Sequence, residues 1–248
     1  MVGVEPGDEN LRIHFYRDVQ ALSSAAAGAF LASAKAVLSE RSRFVVALSG
    51  GSTPRPMYAR LASEYRSALE WSRVHFFWTD ERFVPPDDDE SNYRMAREAM
   101  LGPLGIAETN VHRPDTSTSG PEESARRYQE TLREFFGSDL PRFDWILLGM
   151  GEDGHVASLF PGSGALGETQ RLVIAVTDSV KPPPVRLTMT LPVLNAAREI
   201  HFLVSGRRKQ AVFSHIFAQE SEDLPARRIR PTHGSVDWWV DYEAGNRA

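Results

Sequence analysis

The sequence predicts an α/β fold in which a mostly parallel sheet is covered by helices on both faces. Two observations carry this prediction. Short runs of β-branched and aromatic residues alternate along the chain with stretches of helical period, the pattern of strands joined by helical crossovers. Four of those runs end abruptly in clusters of glycine, hydroxyl or charged residues, as strand ends do where they open onto a ligand.

Each element follows from its residues. Residues 11–16 are strand-like, and residues 18–40, rich in Ala and Leu with Val19, Leu22, Ala26, Phe30 and Val37 at helical spacing, form an amphipathic helix. Residues 44–48 (FVVAL) are a strand stopped by Ser49-Gly50-Gly51-Ser52-Thr53-Pro54, with a helix over 55–68. The pattern repeats with VHFFW at 74–78, which runs into Thr79-Asp80-Glu81-Arg82 and, after a Pro-rich acidic loop, a helix over 91–100. A helix is expected at 122–136 and a strand at 143–148 that exits into Gly149-Met150-Gly151-Glu152-Asp153-Gly154-His155. Strands follow at 172–177 and 185–190, and a further one at 200–204 ends in Ser205-Gly206-Arg207-Arg208-Lys209 before a helix reaching residue 218. Neither a linker nor a fixed-period repeat divides the chain, so residues 1–248 are expected to form a single domain, with the less regular stretch 161–192 as an alternative small subdomain.

Composition narrows the function. With 248 residues, 42% apolar and 25% charged, the chain has an ordinary globular make-up. A formal charge of −5 provides no long-range attraction for nucleic acid or an anionic membrane. The absence of cysteine removes disulfides, thiolate metal ligands and a Cys nucleophile. The first residues lack a basic stretch followed by an apolar run, and no apolar run approaches the roughly 20 residues that span a bilayer. A cytoplasmic location is the expectation.

The four loops carry the chemistry. Ser49, Gly50, Gly51, Ser52 and Thr53 place small residues and hydroxyls ahead of a helix, a plausible phosphate cradle; the competing reading is that Ser52 or Thr53 merely caps that helix. No Gly-Lys-Ser/Thr follows, so the loop is not that of a nucleoside triphosphatase. Residues 149–154 match G-x-G-x-x-G, but Pro161, Gly162, Gly164 and Gly167 interrupt the helix that a dinucleotide site requires. His155 is instead the candidate general base, with Asp153 close enough to orient it and Glu152 the other acid that could; the alternative is a loop histidine that bonds backbone. Arg82 is suited to a phosphate or a developing oxyanion, and Asp80 to holding Arg82 or binding a sugar hydroxyl, unless the two form only a surface ion pair. Arg207, Arg208 and Lys209 oppose the dipole at a helix start, which a bound anion would offset, with Lys209 the foremost candidate to reach it. The run 87–90 lacks calcium-loop spacing, and neither H-E-x-x-H nor G-x-S-x-G occurs, so no metal site is expected.

At these residues the chain resembles the family of 6-phosphogluconolactonases and glucosamine-6-phosphate deaminases. The likeness runs from VVALSGGSTP through FFWTDERFVPPDDDESNY, DWILLGMGEDGHVASLFPG and KPPPVRLTMTLPVLNAA to LVSGRRKQ and SVDWWVDYEA. It implies a Rossmann-like, doubly wound sheet, no metal or organic cofactor, and hydrolysis of 6-phospho-D-glucono-1,5-lactone to 6-phosphogluconate in the oxidative pentose phosphate pathway. Carried over by position, Ser49 to Thr53 and Lys209 correspond to phosphate contacts, with Arg207 and Arg208 as alternative cations, Arg82 to the arginine of the lactonase TDER block, and His155 to the histidine that activates water. Deaminases carry Tyr after Asp-Glu and Asn-Glu-Pro after Asp-Gly-His. Here Arg82 and Ser158-Leu159-Phe160-Pro161 stand instead, which favours the lactonase branch. The partner implied is a sugar phosphate, with no nucleic acid and no membrane, and the protein is expected to be a monomer. The rivals are a deaminase or isomerase with Asp80 as its base, and a sugar-phosphate sensor without turnover.

Overall fold

The computed structural model describes residues 10–218 and 224–246; the start of the chain, read above for a leader segment, lies outside them. In chain order the elements are β1 (Leu11–Tyr16), α1 (Val19–Glu40), β2 (Phe44–Leu48), α2 (Arg55–Glu64), β3 (Val74–Trp78), β4 (Asp80–Arg82) and α3 (Asn92–Ala96). There follow α4 (Gly102–Leu104), α5 (Pro121–Phe136), β5 (Trp145–Gly149), β6 (Val173–Val176), β7 (Arg186–Met189), α6 (Leu191–Asn195), β8 (Glu199–Val204), α7 (Gln210–Phe217) and β9 (Ser235–Asp241).

Six strands pair in the order β1-β9-β8-β5-β2-β3, every neighbour parallel. Their alternating side chains feed two cores. Val46, Phe76, Trp78, Trp145 and Leu147 face Leu22 and Phe30 of α1 and Met57, Tyr58 and Leu61 of α2. Val45, Ala47, Ile146, Leu148, Phe202 and Trp238 face Tyr128 and Leu132 of α5 and Val212, Phe213 and Ile216 of α7. Both faces are therefore buried, which is why β2 and β5 read as continuous apolar runs. The expected α/β sheet with helices on both faces is the fold observed.

The irregular stretch 161–192 supplies β6 and β7, which pair antiparallel with β4 in a second, three-stranded sheet. Leu187, Met189 and Val173 of that small sheet share the core that holds Ile146 and Leu148. Two strands escaped the sequence reading. β4 is three residues long and polar, and β9 lies in a tryptophan-rich segment read only as a block of family likeness. The helix expected over 55–68 stops at Glu64, and the one expected over 91–100 is a short α3 that continues as a π-helical turn over Arg97–Leu101.

One expectation is overturned. α1, 22 residues long, is apolar enough by length and composition to cross a membrane, because its outward positions are mostly Ala and Ser rather than charged. In the structure Leu22, Ala26, Phe30 and Ala34 are buried against the sheet. Asp18 starts the helix by accepting a hydrogen bond from the Ala21 N–H at 2.8 Å.

Away from the strand ends that carry the loops, His75 and His112 meet at 3.2 Å, and His112 stacks on Phe77 with centroids 4.5 Å apart. Burial, then the neighbouring His75 and Arg43, lower the His112 imidazole from 6.5 to about 4. A histidine depressed in the folded state contributes stability that is full above its unfolded value and is lost as pH falls through the folded one. His112→Phe keeps the stacking and removes the titration, so its melting temperature is expected to fall less than that of the wild type between pH 6.5 and about 4. Parallel thermal melts across that window check this, and equal losses in both proteins would refute it.

Candidate active site

Strand order changes direction at β2 and β5. From β2 the chain proceeds outward to β3, and from β5 it proceeds the other way to β8 and β9. Loops leaving two strands at such a switch point diverge and open a crevice at their carboxyl ends. Here the divergent loops are those after Leu48 and Gly149, and the crevice is a cleft of about 340 Å³, at the small end of the roughly 300–1,000 Å³ of small-molecule sites.

The first wall is the loop 49–54. Tyr58, fully buried on α2, donates its hydroxyl to the Ser49 carbonyl at 2.8 Å and accepts the Ser49 N–H at 3.2 Å, so the helix holds the loop that precedes it. α2 begins after Pro54 with no side-chain cap, so neither Ser52 nor Thr53 spends its hydroxyl on the helix. Asn92, 2% exposed, ties this loop to β4: its Nδ2 donates to the Asp80 carbonyl at 2.9 Å, and its Oδ1 lies 1.8 Å from where a Cβ on residue 50 would stand. Only glycine fits at position 50.

The second wall is the loop after β5. His155 Nδ1 lies 2.6 Å from Asp153 Oδ1, and the imidazole packs on Phe160 with centroids 4.6 Å apart. Lys181 Nζ reaches the same carboxylate oxygen at 3.5 Å. Burial alone would raise the Asp153 carboxyl, but the hydrogen bond and charge of His155 prevail and hold it well below the usual carboxylate range. Asp153 is thus ionised, and its oxygen fixes the Nδ1 side of the ring.

The third wall comes from the small sheet. Asp80 accepts the Ser158 hydroxyl at 2.8 Å. Arg82 donates to the Glu90 carbonyl at 2.6 Å, while its Nε is buried without a partner. Glu81 turns away from the cleft and accepts the N–H groups of Arg82, Asn92 and Tyr93 and the Ser91 hydroxyl, which anchors the start of α3. Burial raises its carboxyl to about 7 against those three N–H bonds. Arg186, opposite Arg82 in the β4–β7 register, is 4% exposed. Its guanidinium donates to the carbonyls of Lys181, Pro182 and Pro183, and burial lowers its pKa.

The cleft therefore brings together Ser49, Gly50, Gly51, Ser52, Thr53, Asp80, Arg82, His155 and Lys209, all named from the sequence, with Asp153 bonded to His155 from behind. Burial lowers the Lys209 ammonium, against the pull of Glu152. Arg208 is not among the lining residues: its side chain is 86% exposed and lies 3.8 Å from Glu152. Lys181, Arg186 and Asn92 line the cleft without having been singled out from the sequence. Arg186 left the clearest trace, a charge within the apolar alternation of VRLTMT.

A family model described as glucosamine-6-phosphate isomerases/6-phosphogluconolactonase matches residues 17–238. The chain is 44% identical over 213 residues to a 6-phosphogluconolactonase of Synechocystis sp., covering 84% of this chain and 86% of that one. It is 38% identical over 240 residues to the 6-phosphogluconolactonase of Mycobacterium tuberculosis, covering 94% and 96%. The solved 6-phosphogluconolactonase of Trypanosoma brucei superposes with a TM-score of 0.82 at 34% identity, covering 95% and 97%. A monomeric glucosamine-6-phosphate deaminase, 23% identical with a TM-score of 0.77 over 95% of this chain and 99% of that one, shares the fold. The family match spans all three walls of the cleft, from the loop after β2 to the strand β9, and the chain belongs to the glucosamine-6-phosphate isomerase/6-phosphogluconolactonase family.

Proposed function

We propose that the protein is a 6-phosphogluconolactonase of the cytoplasm, formed by one domain over residues 1–248 and acting as a monomer. The observation that carries the reading is that a hydrogen-bonded His155–Asp153 pair and the loop 49–53 open into the same small cleft. An imidazole facing away from that loop would have excluded it.

The N–H groups and hydroxyls of Ser49 to Thr53, with Lys209, hold the substrate phosphate. Asp153 occupies Nδ1, so Nε2 of His155 is the nitrogen that takes a proton from water as the water oxygen attacks C1 of the lactone. Arg82 stabilises the oxyanion that develops on the carbonyl oxygen. The C1–ring oxygen bond then breaks, the ring oxygen receives the proton from His155, and the new carboxylic acid releases its own proton to solvent. Position does much of the work, since a substrate anchored at its phosphate presents C1 to the imidazole in one orientation.

The test is a stopped assay on freshly generated 6-phosphogluconolactone, with the unphosphorylated lactone as control and spontaneous opening subtracted. Strong preference for the phosphorylated lactone is expected, and no acceleration over background would refute the reading. Lys209→Met is expected to raise KM about tenfold to a hundredfold, the worth of a charge-assisted bond, with a smaller change in kcat. An unchanged KM would remove Lys209 from the phosphate site. Asp80, whose carboxylate also lines the cleft, supports a second reading as the proton-abstracting base of an amino-sugar phosphate deaminase; release of ammonia from glucosamine 6-phosphate would favour it.

A further inference from the structure

Two cationic groups face the cleft from different walls. Lys209 and Lys181 belong with Glu152 and Asp153 on the side of the β5 and β8 loops, where carboxylates offset them. Arg82 and Arg186 belong to the β4–β7 pair, directly opposite each other in register. There the compensation is incomplete. Among the described residues no carboxylate lies within ion-pair distance of Arg186, whose bonds all go to backbone carbonyls. Arg82 reaches the Glu90 carboxylate only at 3.6 Å and keeps a buried Nε without an acceptor. Asp80 and Glu90 act on Arg186 only from beyond ion-pair distance, with Arg82 opposing them, and a buried guanidinium with no carboxylate paired to it is costly. A single loop anchored to carbonyls does not need a charge to do so, and a neutral donor would cap those oxygens without that cost.

The pair also sits next to the reacting end. His155 packs on the Phe160 ring, and the Arg186 guanidinium lies 5.8 Å from the centroid of the same ring. The imidazole and the guanidinium thus share one aromatic neighbour, and both line the same cleft.

We propose that Arg186, paired with Arg82, forms a second anion-binding centre in the cleft that recognises the C1 end of the ligand, so that the site takes a carbon chain anionic at both ends. This rests on the lactonase reading for the identity of C1. The lactone carries no charge at C1, the tetrahedral intermediate carries an oxyanion there, and the product carries a carboxylate. A centre built from two guanidiniums binds the last two and neglects the first. Arg186 is accordingly a specificity-determining residue, and its effect makes the product a stronger ligand than any neutral-headed analogue.

The experiment compares two ligands that share the phosphate and carbon chain, 6-phosphogluconate and glucitol 6-phosphate, by calorimetric titration of the full chain at fixed ionic strength. The wild type is expected to bind the aldonate about tenfold or more tighter than the alditol, the worth of a hydrogen bond to a charged group. In Arg186→Met that ratio falls toward one, chiefly through loss of aldonate affinity, while Arg186→Lys keeps part of it because the charge stays and the planar fork is lost. Equal affinities in the wild type would overturn the proposal. So would an Arg186→Met protein that keeps the ratio, or one that weakens both ligands in proportion, the mark of a residue that only shapes the 181–183 loop. Should Arg186→Met fail to fold, the ratio is read in Arg82→Met, where an unchanged value overturns it. The lactonase reading fails separately: wild-type protein that discriminates the two ligands but does not accelerate lactone opening keeps the anion centre and loses the activity.

Discussion

Replacing His155 by alanine is expected to lower kcat by about a hundred- to ten-thousand-fold, the range in which a positioned general base contributes. The phosphate contacts proposed above lie on other loops, so KM should change little and the loss should appear in kcat and kcat/KM together. Asp153→Asn should fall short of that loss, because the imidazole remains but the acceptor-only carboxylate that selects its tautomer is replaced by an amide that can also donate. The measurement is lactone turnover at saturating substrate with the spontaneous rate subtracted, alongside a thermal melt. An H155A protein that melts normally and retains most of the wild-type kcat would remove the histidine from the chemistry. Oxyanion stabilisation by Arg82 would leave a residual rate above background in H155A.

How much of this was legible before the structure depends on the scale at which each feature is encoded. Buried parallel strands are apolar over their whole length, so β2, β3, β5 and β8 stand out as FVVAL, VHFFW, WILLG and EIHFLV. Their exits are where the chain changes composition, and those exits hold most of the cleft. Strand order is a long-range property: nothing local tells that β9 inserts between β1 and β8, because any of several parallel arrangements buries the same residues. The residues overlooked share a reason. Lys181 and Arg186 act from the β6–β7 hairpin of the small sheet, which reaches the cleft only because β7 pairs with the three-residue β4 after Trp78. Asn92 acts from the first turn of α3, held there by Glu81, whose carboxylate is committed to that helix start and not to the ligand. The apolar α1 shows the opposite failing, since its length and composition fit a membrane as well as a core, and the burial of Leu22, Ala26, Phe30 and Ala34 is a long-range property that no local pattern displays.

The glycine at position 151 provides the most direct test of whether the His155–Asp153 geometry is the working one. A Cβ at that position would stand 2.0 Å from His155 Nδ1 and 2.3 Å from Asp153 Oδ1, distances no side chain tolerates. The backbone is poorly placed to yield, because the Gly151 N–H donates to the His155 carbonyl at 2.9 Å and the Gly151 carbonyl accepts the Gly154 N–H at 3.1 Å. The side chains must therefore move, and the 2.6 Å bond between them is what breaks. Gly151→Ala is expected to lower kcat about a hundredfold or more, as a misplacement of about 1 Å does at a reacting centre. Gly149→Ala serves as the control, since its Cβ would meet only the Ser49 hydroxyl at an ordinary 3.8 Å. In the double variant Gly151→Ala with His155→Ala the two losses should not add, because the alanine at 151 acts only through the imidazole that is already gone. A Gly151→Ala enzyme with wild-type turnover would show that the hydrogen-bonded pair is dispensable, and additive losses would show that the loop contributes to catalysis by some route other than the dyad.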